Sequence, residues 1–178
     1  MGIGYKLFIK KNNKLHSLYV NATEEIPLLK WLPANSGQRT LQGKVKSKLG
    51  ELAYRPGWHL HKEVPYVTHI YTIHNGIKYQ KENSIWCIVE YADHIDYQDE
   101  ANKIGINKQG NIVPKMAYLT YIPENGCYTY KTCPQMTGSW IISGAIKVIR
   151  ELSSEEVARI CREHGYEPLP MWKETAKI

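Results

Sequence analysis

Residues 84–92 read "SIWCIVEYA", and this stretch decides the fold class. Strict alternation puts Ile85, Cys87 and Val89 on one face and Trp86, Ile88 and Glu90 on the other, the period of a β-strand. Working outward, "GYKLFIKK" (4–11) and "KLHSLYVN" (14–21) are two more strand-like runs. An Asn- and Lys-rich turn joins them, which predicts a hairpin over residues 4–21. "CYTYKT" (127–132) and "SWIISGAIKVIREL" (139–152) are further strands, the second bent at Gly144. "INKQGNIVP" (106–114) predicts a hairpin about Gln109 and Gly110.

Helices are few. "DYQDEANKIG" (96–105) predicts a short one with Asp96 as N-cap and Gly105 as its stop. The last helix is clearer: Ser153 caps it, Glu156 completes a capping box, Val157, Ile160, Cys161 and His164 share a face, and Gly165 ends it. "IPLLKWLPA" (26–34), between two prolines, reads as a short helix or a packed extended segment. The tail 166–178 is expected to be extended. The expectation is a single α+β domain over residues 1–178: an antiparallel sheet, few helices, and a capped C-terminal helix.

The chain has 178 residues, room for one domain with a core and little more. At 43% hydrophobic and 22% charged it is globular rather than disordered. Thirteen Tyr and five Trp stand against one Phe, Phe8. Rings with a polar handle suit both strands and surfaces that contact a partner or stacked bases. The formal net charge of +6 permits a nucleic-acid or nucleoprotein partner. Residues 34–50, "ANSGQRTLQGKVKSKLG", carry Arg39, Lys44, Lys46 and Lys48 and no acid. They are expected to form an exposed basic loop in which, if extended, the three lysines share one side and suit a phosphate backbone. Arg39, Lys44, Lys46, Lys48 and Trp58 are the candidate partner-binding residues.

The chemistry-bearing stretch is "LAYRPGWHLH" (52–61). Pro56-Gly57 signals a type II turn with Gly57 at positive φ, projecting Arg55 and His59 from its shoulders. His59 and His61 share a strand face at the spacing of paired metal ligands, but no third ligand is recognisable, so no metal and no cofactor are expected. Adjacent strands could instead gather Arg55, His59, His69 and Glu90: Arg to hold an anion, His as acid or base, Glu to orient. The same residues equally suit a tight structural corner. Nucleotide-binding, P-loop, nucleophile-elbow and zinc-protease motifs are absent. The four cysteines lie far apart, and no apolar leader or membrane span is visible. A cytoplasmic protein with reduced thiols is expected.

The stretches "YKLF", "LYVNATEEIPLLKWLPA", "LAYRPGWH", "IWCIVEY" and "GSWIISGAIKVIREL", followed by "SSEEV", resemble a family of small accessory proteins of phages, prophages and plasmids. Its pattern falls on Arg55, Pro56, Gly57, Trp58, His59, His69, Trp86, Glu90, Trp140 and Lys147, and leaves out His61 and His74. The resemblance implies a mobile-element setting. There the expected role is an anti-CRISPR-like counter-defence protein that binds a host nucleoprotein complex, an RNA-guided DNA nuclease, or its DNA. The alternative in the same setting is an ADP-ribosyltransferase-like or nuclease-like enzyme using Arg55, His59, His69 and Glu90.

Overall fold

The structure is a computed structural model. It describes residues 2–19, 22–34, 44–47, 50–53, 56–106, 109–115, 119, 121–131, 135–136 and 138–172, with the backbone alone for 44–47 and 50–53. In chain order the elements are β1 (Gly2–Lys11), β2 (Lys14–His16), β3 (Glu25–Ile26), β4 (Trp31–Pro33), β5 (Lys44–Ser47), β6 (Gly50–Ala53), β7 (Trp58–His61), β8 (Tyr71–His74) and β9 (Ile77–Gln80). They continue with β10 (Ser84–Tyr91), β11 (Ile95–Asp96), α1 (Gln98–Asn102), β12 (Ile104–Ile106), β13 (Ile112–Pro114), β14 (Gly126–Tyr130), β15 (Trp140–Ser143), β16 (Ala145–Glu151) and α2 (Ser154–Glu163). The fold is α+β. One main sheet runs β11-β14-β15-β7-β1-β10-β16-β4, with β2 and β3 added on β1. All its described pairings are antiparallel except β11 with β14.

The sheet rolls. β15 and β16 are consecutive in the chain, joined by Gly144 alone, yet β7, β1 and β10 lie between them in the sheet order. In a flat sheet four inter-strand steps span roughly 19 Å, several times what one residue reaches. The sheet must therefore curl until its two sides meet at Gly144, where one long strand turns the corner and serves both. The inner face holds Phe8, Leu60, Val89, Ile141, Ile146 and Val148, all fully buried, together with Cys87. On the outer face Leu7 and Trp86 pack under α2 and under Val64, Val67 and Ile70 of the 62–70 segment. A third cluster, Ile142 and Tyr128 with Ala101, Leu119 and Ile122, lies beneath α1. Thus the two faces of "SIWCIVEYA" each find a core.

Of the hairpin expected over residues 4–21, the described part is present: β1 pairs β2 from Ile9–His16 to Lys11–Lys14, turning on Asn12 and Asn13 at φ 52° and 62°. The C-terminal helix has its capping box, and Gly165 ends it at φ 80°. Three expectations are corrected. Gly105 does not stop α1; it sits in β12, paired with Val113 in the hairpin ladder. The N-cap of α1 is Tyr97, while Asp96 Oδ1 accepts from the Gln98 N–H at 3.0 Å. Residues 44–47 are not loop but strand, paired with β6 so that Glu51 stands opposite Lys46. Segment 26–34 takes the extended alternative, as β3, a bend and β4. The tail beyond α2 is without regular structure as far as Trp172, tied by the Gln80 N–H to the Pro170 carbonyl and by Trp172 stacking on His74 at 4.0 Å. Among the described residues no helix is long and apolar enough to cross a membrane.

Candidate functional site

The chain bends at Gly57, whose φ is 110°. A Cβ there would lie 2.6 Å from Ile142 Cγ2, so both backbone conformation and space demand glycine. Directly after this bend comes β7, whose four residues face two ways. Trp58 and Leu60 look into the rolled sheet, where the Trp58 indole N–H donates to the Leu32 carbonyl at 3.0 Å. His59 and His61 look outward.

There β7 pairs with β15, His61 opposite Trp140 and His59 opposite Ile142. Trp140 becomes the centre of a histidine cluster. His61 lies against it at 4.4 Å between ring centroids, and His59 and His69 meet it edge-on at 5.9 and 6.4 Å. Trp86 closes on the other side of His61 at 5.2 Å. His61 is buried, His59 and Trp140 are half-buried, and His69 is exposed. Burial, then the Lys6 charge and the two neighbouring imidazoles, push His61 down to about 3, so it is neutral at physiological pH.

Lys6 comes from the inner face of β1. Its ammonium donates to the His59 carbonyl at 2.8 Å and lies 5.8 Å from the ring centroids of Phe8 and Trp58. Part of the side chain reaches solvent, but its charged end is enclosed, and burial lowers its pKa to about 8.

Of the four residues the sequence grouped, the structure brings His59 and His69 together at Trp140. Glu90 is elsewhere. Tyr5 pairs with both His61 and Ile88, which puts Glu90 two strands across and four residues along from His59, on the order of 15 Å away. Its carboxylate pairs with Lys147 at 3.3 Å, and Lys147 lies over the Trp31 ring at 5.3 Å. Arg55 lies outside the described residues, as do Arg39 and Lys48; Lys44 and Lys46 occupy same-side positions on β5. Sequence reasoning missed Trp140, His61 and Lys6 as members of the cluster. The alternation of His59 and His61 pointed to a shared face, but nothing local says which strand pairs with β7.

Among the described residues no group of three or more His, Cys, Asp and Glu is placed to hold a metal. Burial pushes the Cys87 thiol up to about 12 and the Cys161 thiol to about 11, so both stay protonated at neutral pH. Searches of protein-family models, curated proteins and solved structures gave no match to this chain.

Proposed function

We propose that this chain is a binding protein, a counter-defence factor of a mobile element that docks on a nucleic-acid-handling complex of the host, an RNA-guided DNA nuclease in particular. The observation that carries this reading is the β12–β13 hairpin. Register places Ile104, Ile106, Ile112 and Pro114 on one face, and the three isoleucines are 69%, 69% and 76% exposed. A bare ridge of β-branched side chains costs solvation in the free protein and loses little rotamer freedom when covered, which suits insertion into a preformed apolar groove. Just before it, residues 93–102 carry Asp93, Asp96 and Asp99 and no Lys or Arg, while the Glu100 carboxylate is already paired with Lys103 and Lys115. An apolar ridge with an acidic flank complements a groove with an apolar floor and basic rims, the kind that otherwise holds phosphates. The ridge covers on the order of 400 Å², about half of what each partner contributes to a stable dimer, so a second copy fits it poorly.

The test is affinity for a panel of guide-loaded RNA-guided nucleases. Wild-type protein is expected to bind at least one member, and the Ile104→Ser/Ile106→Ser/Ile112→Ser variant to bind it at least tenfold more weakly while keeping its fold. No binding to any member sinks the reading. A wild-type dimer that the variant turns into a monomer would assign the ridge to a second copy instead.

A further inference from the structure

The segment that follows α2, "YEPLPMW" (166–172), is seated in a groove. Leu7, Tyr66, Val67, Trp86 and Val157 line the groove, and the seated segment runs on from it to the β8–β9 hairpin. We propose that this groove is a docking site for an extended, proline-containing peptide of a partner protein, and that residues 167–172 are a displaceable occupant of it.

The seated segment shows which chemistry the groove takes. Pro168 and Pro170 favour an extended backbone and remove two N–H donors, and residues 166–172 form no regular structure. Pro168 and Leu169 lie at the apolar wall, which includes the rings of Tyr66 and Trp86. The Pro170 carbonyl accepts from the Gln80 N–H of β9 at 2.9 Å. Trp172 stacks on His74 at 4.0 Å and meets Tyr79 edge-on at 5.0 Å. Prolines on an aromatic wall, a backbone bond to a strand and a ring anchored in a seat of two more are the contacts by which preformed extended peptides are recognised.

The occupant is held loosely. Tyr166 is fixed to the end of α2, its N–H bonding the Cys161 carbonyl at 2.9 Å and its ring stacked on Tyr66 at 5.5 Å. Beyond it, among the described residues, the Gln80–Pro170 bond is the one backbone tie, and the Arg162–Glu167 ion pair is exposed. Glu167 and Pro170 are exposed, and Pro168, Leu169, Met171 and Trp172 are only half-buried. Unfilled space remains beside Pro168 and Leu169. A segment with so few buried contacts opens at little cost. A partner peptide therefore competes with it, and binds with an apparent affinity reduced by the fraction of molecules whose groove is closed. The groove shares no residue with the β12–β13 hairpin, so it stands whether or not that hairpin docks on a nuclease.

The experiment is fluorescence anisotropy with a labelled synthetic peptide of the sequence YEPLPMW, titrated with the full chain. Wild-type protein is expected to bind it weakly. Glu167→Ala/Trp172→Ala, which frees the chain's own segment from Arg162 and His74, is expected to bind it at least fivefold more tightly. Adding His74→Ala to that variant removes the seat for the peptide's tryptophan and is expected to weaken binding at least fivefold. A peptide with alanine in place of both prolines is expected to bind the freed variant severalfold more weakly. Melting temperatures check that each variant folds; should the double variant fail to fold, Trp172→Ala alone carries the comparison. Absence of binding to the freed variant, equal affinity in wild type and freed variant, or indifference of the peptide to His74 and to its own prolines would each overturn the proposal. A wild-type dimer that Trp172→Ala turns into a monomer would assign the groove to the same segment of a second copy instead.

Discussion

Two glycines separate the kinds of demand a backbone makes. Gly110 turns the β12–β13 hairpin at φ 82° with nothing within 4 Å of where a Cβ would sit. Its substitution costs conformational strain alone, roughly 1 kcal/mol. Gly144 is at the corner where the sheet closes on itself. A Cβ there would lie 2.0 Å from the Pro123 carbonyl oxygen and 2.7 Å from Glu124 Cα, both backbone. Its own N–H bonds the Gly126 carbonyl at 3.0 Å, which fixes the approach. Overpacking against backbone cannot relax by a rotamer change, so Gly144→Ala is expected to destabilise by roughly 3 kcal/mol. Urea denaturation of the two alanine variants checks this, and similar losses in both would deny the close approach. The bend at Gly144 was legible in "IISGAIKV"; that it joins the two sides of a rolled sheet was not. Close approach between residues some twenty positions apart leaves no mark in a local pattern. The same limit hid Lys6, whose partner His59 is 53 positions away.

Elements were legible where local chemistry and tertiary demand agreed. The 153–165 helix is the plainest case. The Ser153 hydroxyl accepts from the Glu156 N–H at 3.1 Å, the Glu156 carboxylate accepts from the Ser153 N–H at 3.2 Å, and Val157, Ile160 and Cys161 face the core. Arg150 adds two bonds to the Glu156 carboxylate, which holds that group down at about 2. Ser153→Ala removes one cap acceptor and is expected to cost about 1 kcal/mol. The urea midpoint should move with its slope unchanged; an unmoved midpoint would mean that packing, not capping, sets the helix start. Elements misread were those where two demands competed. "DEANKIG" satisfies a helix that ends at glycine, but Gly105 is needed opposite Val113 in a hairpin. Residues 44–47 lack an apolar alternation strong enough to announce a strand, and only pairing with 50–53 makes them one.

At the scale of the whole molecule, the roll of the sheet places a titratable ring where no proton is welcome. His61 is enclosed between two tryptophans, close to the Lys6 ammonium, and its pKa falls from the ordinary 6.5 to about 3. In the unfolded chain it regains the ordinary value. Between these limits the unfolded state binds more protons than the folded one, so stability is full above pH ~6.5 and drains as pH falls toward about 3. The slope from one such group reaches at most ~1.4 kcal/mol per pH unit. Glu100 and Glu156, both held near 2 by cationic partners, push the same way, but only below their ordinary value of 4.5. The interval from pH 6.5 to 5 therefore isolates the histidine from these carboxylates. His61→Phe keeps a ring against Trp140 and abolishes the titration. Denaturation at pH 6.5, 5.8 and 5 is expected to lose about 1–2 kcal/mol in the wild type, with a clearly shallower slope in the variant. Equal slopes would mean that His61 can take a proton without disturbing the fold. The packing of His61 between Trp140 and Trp86 would then open readily to solvent.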